Sequence, residues 1–421
     1  MTNTNNTSQS DRIVSRRNVL RTTGLITLLS ATGTNVSAET TDSNRPSTPN
    51  SDDETSQISK YHDEVLWYRT SDKDSCEEFR HVIPTVGGGV MTLGMATVDG
   101  EWSDGWQHDW TANGTKRWTV LHRQTGHDAL FGGIRTATNR FALCGHSHSE
   151  SEDTARAYVV ETNRRGRTRW TTHFHFDQRV DDQATDIIQT ADGKFVVAGS
   201  SGNRAAMATL DATGEVQWTR TYSGDKSLDA VSILEADNGF VLGGTVTKQD
   251  DTTACLLLKT NSRGREQWRR RYITGTSAHL AECISTETGY LMAGTAQQEH
   301  AFTADALVMK TTNQGDVVWK ETYGDPGEHA TADSVTTIGD SYVIAGSRSE
   351  DIIGEQVWLN QLNKNGDRTW STAFGTERDE TPSEVVTTDD GNLVIGGTRK
   401  LSEHDNCSEG FVAKVTLTPS Y

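Results

Sequence analysis

Cysteine is scarce in this chain of 421 residues. The five present, Cys76, Cys144, Cys255, Cys283 and Cys407, include no CxxC spacing and no adjacent pair, which excludes a zinc ribbon and a c-type haem attachment. Cys144, Cys255 and Cys283 lie inside apolar runs and read as small buried hydrophobes. The stronger catalytic signatures are missing too: there is no Gly-x-Ser-x-Gly elbow, phosphate loop, HExxH helix or EF-hand loop. Hydrophobic residues make up only 33 %, which fits many short strands with polar outer faces. Positive charge is short as well. The formal net charge of −18 makes a surface that repels nucleic acid and anionic membranes.

What the chain has in quantity is a repeat. Gly-x-x-x-Trp occurs at Gly114–Trp118, Gly166–Trp170, Gly214–Trp218, Gly264–Trp268, Gly315–Trp319 and Gly366–Trp370. These tryptophans stand 52, 48, 50, 51 and 51 residues apart, and Trp67 lies 51 residues before the first. A fixed period near fifty means that one supersecondary unit is being repeated.

Four strand-sized runs recur in each unit, most cleanly at Ala281–Thr286, Gly289–Gly294, Ala304–Lys310 and Asp316–Tyr323. The second run returns almost unchanged at Phe195–Gly199, Phe240–Gly244, Tyr342–Gly346 and Leu393–Gly397. Its continuous apolar character predicts burial on both faces, as for a strand sandwiched between neighbouring units. Between the third and fourth runs, Asn163, Asp211, Asn261 and Asn363 each stand three residues before the turn glycine, the chemistry of a type I turn. These tight turns define one face. The longer and more variable second-to-third and fourth-to-next-first connections define the opposite, long-loop face.

The last unit stops at Tyr421 after its third run, whereas the run around Val65–Trp67 is a Trp strand with no hairpin feeding it. The two ends complement each other. The expected fold is all-β, a seven-bladed β-propeller of four-stranded antiparallel blades over 61–421, closed by the N-terminal strand completing the last blade. The repeated tryptophans, one per blade at a fixed position, are expected to be packing between blades rather than a carbohydrate platform.

Before the propeller, residues 1–38 read as a twin-arginine export signal: Ser15-Arg16-Arg17-Asn18-Val19-Leu20-Arg21, a weakly apolar run Gly24–Val36, and small residues Val36-Ser37-Ala38 for cleavage. Thirteen residues interrupted by Thr, Ser and Asn are too few and too polar to span a bilayer, and no transmembrane segment is expected. Residues 39–60, acidic and rich in Ser, Thr and Pro, read as a disordered linker. The protein is therefore expected outside the cell or at its surface, as a monomer. Resemblance to the twin-arginine pathway implies export in the folded state.

The repeat resembles the tryptophan-docking repeats of quinoprotein-like propellers and of exported propellers without assigned function, over about 61–421. True quinoprotein alcohol dehydrogenases have eight blades, a vicinal cysteine pair and often a CxxCH haem segment. This chain has none of these, so what the resemblance implies is the scaffold. The abundance of Asp and Thr, with Arg preferred to Lys, is similar to proteins of extreme halophiles, where acidity serves hydration and solubility.

Three candidate sites follow. His127, His146, His148, His173, His175 and Asp177 crowd the connections around blades 2 and 3, where imidazoles and carboxylates could hold a divalent metal. Against this, Trp170, Phe174 and Phe176 share one strand face by period two, which turns His173 and His175 the other way. Asp186, Asp229, Asp333 and Glu384 either ring the channel mouth and take a cation or basic ligand, or serve as turn caps and acidic surface. Cys76 and Cys407, both on the long-loop face and flanking the first and last blades, are a candidate disulfide. The leading functional reading is a binding scaffold, its long-loop face engaging an extracellular protein, glycan or small ligand. The rivals are a metal-dependent enzyme in the histidine sector and a quinone-dependent oxidoreductase.

Overall fold

The computed structural model describes residues 64–417 except 72–75, 99–101, 125, 150, 152, 178–179, 299–302, 351–353 and 402–406. The expected signal residues Arg16, Arg17 and Ala38 and the 39–60 linker lie outside the described residues.

Seven antiparallel sheets follow one another in a ring, forming the β-propeller that the repeat predicts. Blade 1 runs over 76–122, blade 2 over 126–174, blade 3 over 182–222, blade 4 over 227–272, blade 5 over 277–323 and blade 6 over 329–374. Blade 7 takes three strands from 380–415, and its fourth is Val65–Thr70 from the N-terminal side. Val65 pairs with Val415, Tyr68 with Ala413 and Thr70 with Phe411, so the chain ends close the ring as their complementarity implied. In blade 5 the strands are Ser277–Thr286, Gly289–Gln297, Ala304–Thr311 and Val317–Tyr323, each overlapping its expected run and mostly longer. Every residue of the second strand from Gly289 to Ala296 is buried, as an inner layer with a blade on either side requires.

Seven apolar clusters hold the ring, one at each interface between blades. The Gly-x-x-x-Trp code explains their outer edge. The turn glycines have positive φ, from 69° to 90°, and each sits on the tryptophan of the preceding blade: Gly114 on Trp67, Gly166 on Trp118, Gly214 on Trp170, Gly264 on Trp218, Gly315 on Trp268 and Gly366 on Trp319. A Cβ on any of them would lie 2.5–3.1 Å from that indole, so glycine is required twice over, by backbone and by contact. Phenol groups tie the same joint: Tyr222 Oη donates to Gly264 O at 2.7 Å and Tyr272 Oη to Gly315 O at 2.7 Å. Trp370 has no glycine turn ahead of it and packs instead against the cluster containing Leu417 and Val65.

The seam between blades 7 and 1 carries extra links. Lys414 Nζ, itself buried, donates to Gly88 O at 3.1 Å and Ala112 O at 3.3 Å in blade 1 and pairs with Asp390. Arg399 and Glu409 form a fully buried ion pair on adjacent strands of blade 7, with the guanidinium 6.0 Å from the Tyr68 ring. Beside them Cys76 and Cys407 are joined, with their Cα atoms 5.0 Å apart.

Candidate functional site

The site is built on the innermost strand of each blade. The glycine that ends each apolar second run, Gly94, Gly145, Gly199, Gly244, Gly294, Gly346 and Gly397, faces a carbonyl of that inner strand so closely that a Cβ would come within 1.7–2.3 Å of the oxygen. Only glycine permits the approach. Opposite it the inner strand gains one unpaired residue, a bulge: Arg80, Phe131, Thr185, Val231, Ala281 and Ser383 are the extra residues. In blade 6 the inner strand is interrupted at the same place, between Ala330 and Ser334.

Pairing resumes with His81, Gly132, Asp186, Ser232, Glu282, Ser334 and Glu384, one per blade. These residues reach from blade to blade around the channel. Asp186 accepts the Ile233 N–H at 2.8 Å, Ser232 the Cys283 N–H at 3.0 Å, Glu282 the Val335 N–H at 2.7 Å, and Ser334 the Val385 N–H at 3.0 Å. Ser334 Oγ also donates to Glu282 at 2.6 Å. His81 closes the circle, with Nδ1 3.1 Å from Glu384 and Nε2 donating to Gly133 O at 2.8 Å. Gly132 has no side chain to contribute, because the Thr185 carbonyl lies 2.6 Å from where its Cβ would be.

The ring is electrostatically balanced by its own members. Burial alone would lower the His81 pKa, but Glu384, then Asp186 and the Gly133 carbonyl, outweigh it and raise it to about 9. Asp186 is pushed up to about 6 by burial, against its backbone hydrogen bonds and the His81 charge. Burial, reinforced by the Glu384 charge, raises Glu282 well above the usual carboxylate range. Within the ring the raised His81 thus faces Glu384, while burial shifts Glu282 towards its neutral form.

Just before His81 in the same strand, towards the long-loop face, lies a different kind of surface. Arg80 pairs with Glu78 and places its guanidinium 5.3 Å from the centre of the Phe131 ring, while its Nε is buried without a hydrogen-bond partner. Phe131 lies 5.3 Å from the His146 ring. Burial, then the nearby Arg80 charge, pushes the His146 pKa down to about 4, so this imidazole is neutral. His127 and His148 are cross-strand partners, and His127 lies edge-on to Trp102 at 4.6 Å with Nδ1 3.3 Å from Ser103 Oγ. The mouth between blades 1 and 2 thus offers one incompletely used guanidinium, an aromatic wall and neutral imidazole.

The structure divides the expected metal set. His127, His146 and His148 are neighbours in blade 2. His173 packs against Tyr158 at 5.0 Å, His175 pairs with Asp182 at 2.7 Å, and Asp177 pairs with Arg204. Each of these last three is satisfied by a strand or loop neighbour instead of turning towards the blade 2 imidazoles. Among the described residues no group of three or more His, Cys, Asp or Glu side chains is arranged to hold a metal ion.

The four expected acids also separate. Asp186 and Glu384 belong to the ring, whereas Asp333 is buried and accepts from Thr331 Oγ1 at 2.6 Å, and Asp229 sits two residues before the bulge position of blade 4. His81 and Glu282, the other titratable members, escape a search by residue type. Their signal is positional, since 81, 132, 186, 232, 282, 334 and 384 recur near the repeat period. Cys144, Cys255 and Cys283 are single buried thiols whose pKa values burial raises, and none makes the vicinal pair a quinone site of the resembled kind would use.

No known protein-family profile matches the chain, and no curated protein matches it. Similar solved structures include polysaccharide lyase Uly1, with 12 % identity, 84 % of this chain and 100 % of that one covered, and a TM-score of 0.50. A chain of the Drosophila Plexin A complex with Semaphorin 1b matches at 8 % identity, covering 84 % and 87 %, also at 0.50. A protein of unknown function from Bacteroides caccae matches at 14 % identity, covering 60 % and 83 %, at 0.41. At such identities the likeness is one of fold. Propellers serve both binding and enzymatic proteins, and fold alone does not choose between them. Among the described residues no helix is long and apolar enough to cross a membrane.

Proposed function

We propose that the protein is an exported binding scaffold that takes a small ligand at the long-loop mouth between blades 1 and 2. The ligand presents a carboxylate or carbonyl oxygen to Arg80 and a flat face to Phe131 and His146. The observation that carries this reading is the Arg80 guanidinium, partly exposed and held beside the Phe131 ring by its pairing with Glu78. A guanidinium carries five N–H donors in a planar fork, so pairing with one carboxylate leaves donors for a ligand oxygen. The test is a thermal-shift and calorimetric screen of aromatic and sugar carboxylates against the wild type and Arg80→Gln. Ligands that stabilise the wild type should fail to stabilise the variant, and ligands that stabilise both equally overturn the assignment.

Export rests on the Ser15–Arg21 segment and the small residues ending at Ala38. Fractionation of cells making the Arg16→Lys/Arg17→Lys variant should find the protein retained inside, and release equal to wild type would remove this part of the reading.

A further inference from the structure

The glycine-turn face carries a second surface that the long-loop reading does not use. The turn between the third and fourth strands of blade 2, Asn163-Arg164-Arg165-Gly166-Arg167, stands against the outer strand of blade 1. Together they form a groove of about 500 Å³ lined by Asp109, Arg117, Trp118, Arg164, Arg165 and Arg167. Four guanidinium groups thus gather around one indole on a chain whose net charge is −18. Asp109, the one acid of the groove, is engaged by Arg117 at 2.9 Å. Arg164, Arg165 and Arg167 make no ion pair among the described residues and are exposed.

The groove is held rigidly. Asn163 Oδ1 accepts the N–H groups of Arg165 at 2.8 Å and Arg167 at 3.2 Å, and the Gly166 N–H donates to Asn163 O at 2.9 Å. Gly166, at φ +73°, is seated on Trp118. The equivalent turns of blades 3, 5 and 6 carry Ala212-Thr213, Asn313-Gln314 and Lys364-Asn365 before their glycines, so the cluster is not a demand of the fold. The turn of blade 4 has Arg263 and Arg265 without a third arginine.

We propose that this groove binds a polyanionic glycan, a sugar chain carrying carboxylates or sulfates. Guanidinium forks match both groups in a bidentate way, and the turn holds Arg164, Arg165 and Arg167 together beside Arg117 at one groove. The balance of donors and acceptors argues against an acidic peptide: the groove offers many N–H donors and only one acid, already paired, so peptide N–H groups would go unanswered. Nucleic acid carries about one charge per 1.7 Å of duplex, and the field of the acidic protein opposes so dense a polyanion more than a glycan with about one charge per sugar.

The test uses the whole chain at the lowest salt at which its denaturation midpoint is unchanged. Binding of polygalacturonate, dextran sulfate, neutral dextran and poly-glutamate is measured by calorimetry for the wild type, Arg164→Glu/Arg165→Glu, and Arg263→Glu/Arg265→Glu. The two double variants change net charge equally, and the substituted side chains are exposed, so the midpoint confirms that both remain folded. The expected result is binding of one or both anionic glycans, none of neutral dextran, a loss of about tenfold or more in the blade 2 variant, and little change in the blade 4 variant. Which anionic glycan binds assigns the carboxylate or sulfate. Absence of glycan binding, equal loss in both variants, or poly-glutamate bound as tightly as the glycans each overturns the proposal.

Discussion

His81 and Glu384 meet at 3.1 Å across the seam that joins the first blade to the last, although 303 residues separate them in the chain. The folded state raises the His81 pKa from 6.5 to about 9, so the contact stabilises the fold fully below pH 6.5 and is lost as pH rises through 9. Denaturant midpoints between pH 6 and 10 should fall for the wild type and fall less for His81→Gln. The difference should be roughly 3 kcal/mol at most, from about 1.4 kcal/mol per pKa unit. Parallel curves would show that the pair contributes nothing to closure.

The turn glycines separate backbone cost from contact cost. Gly193, at φ +83°, has nothing within 4 Å of its missing Cβ, so Gly193→Ala should cost about 1–2 kcal/mol from φ alone. Gly264, at φ +69°, has Trp218 at 2.7 Å, so Gly264→Ala should cost about 1–3 kcal/mol more. Equal losses in urea unfolding would mean that the indole yields freely and that its docking is loose.

The link between Cys76 and Cys407 closes a span of 331 residues. Non-reduced peptide mapping should recover the two as one species, and Cys76→Ser/Cys407→Ser should lower stability by about 2–5 kcal/mol. Two free thiols in the native protein would leave closure to the strand pairing and to Lys414.

Glu282 accepts hydrogen bonds from Ser334 and Val335 while its own pKa is held high by burial. Glu282→Gln preserves a neutral acceptor and should stay within about 1 kcal/mol of wild type at pH 7, whereas Glu282→Ala, which strands the Val335 N–H, should cost about 1–3 kcal/mol. A Gln variant as damaged as the Ala variant would mean that the carboxylate is charged in the ring.

The scaffold was legible because its joints demand identity. Gly264 and Trp218 cannot be exchanged for other residue types without a clash or a void, so the same letters return in six of the seven blades. The inner ring demands only position. Ser232, Glu282 and His81 all answer a neighbouring backbone group with different chemistry, and the bulge before each breaks the alternation by which a strand face is read. The histidine sector divides for a related reason. Residue type alone groups His175 and Asp177 with His127, whereas in the fold Asp182 and Arg204 pair with them. The basic groove of blade 2 was hidden by the overall charge, since −18 averages over a surface whose local sign reverses at Arg164 and Arg165.

The borrowed fourth strand of blade 7 also sets an order of events. Val65–Thr70 is among the first parts of the domain to be synthesised, yet its partner, Ser408–Val415, is among the last. For nearly the whole of translation that strand and the Tyr68 ring beside it have no native place to go. Such long-range pairing carries a large entropic cost before any contact repays it, and folding should be slow to complete. A chaperone or the cell's proteases would meet this protein first as six blades with an open flank.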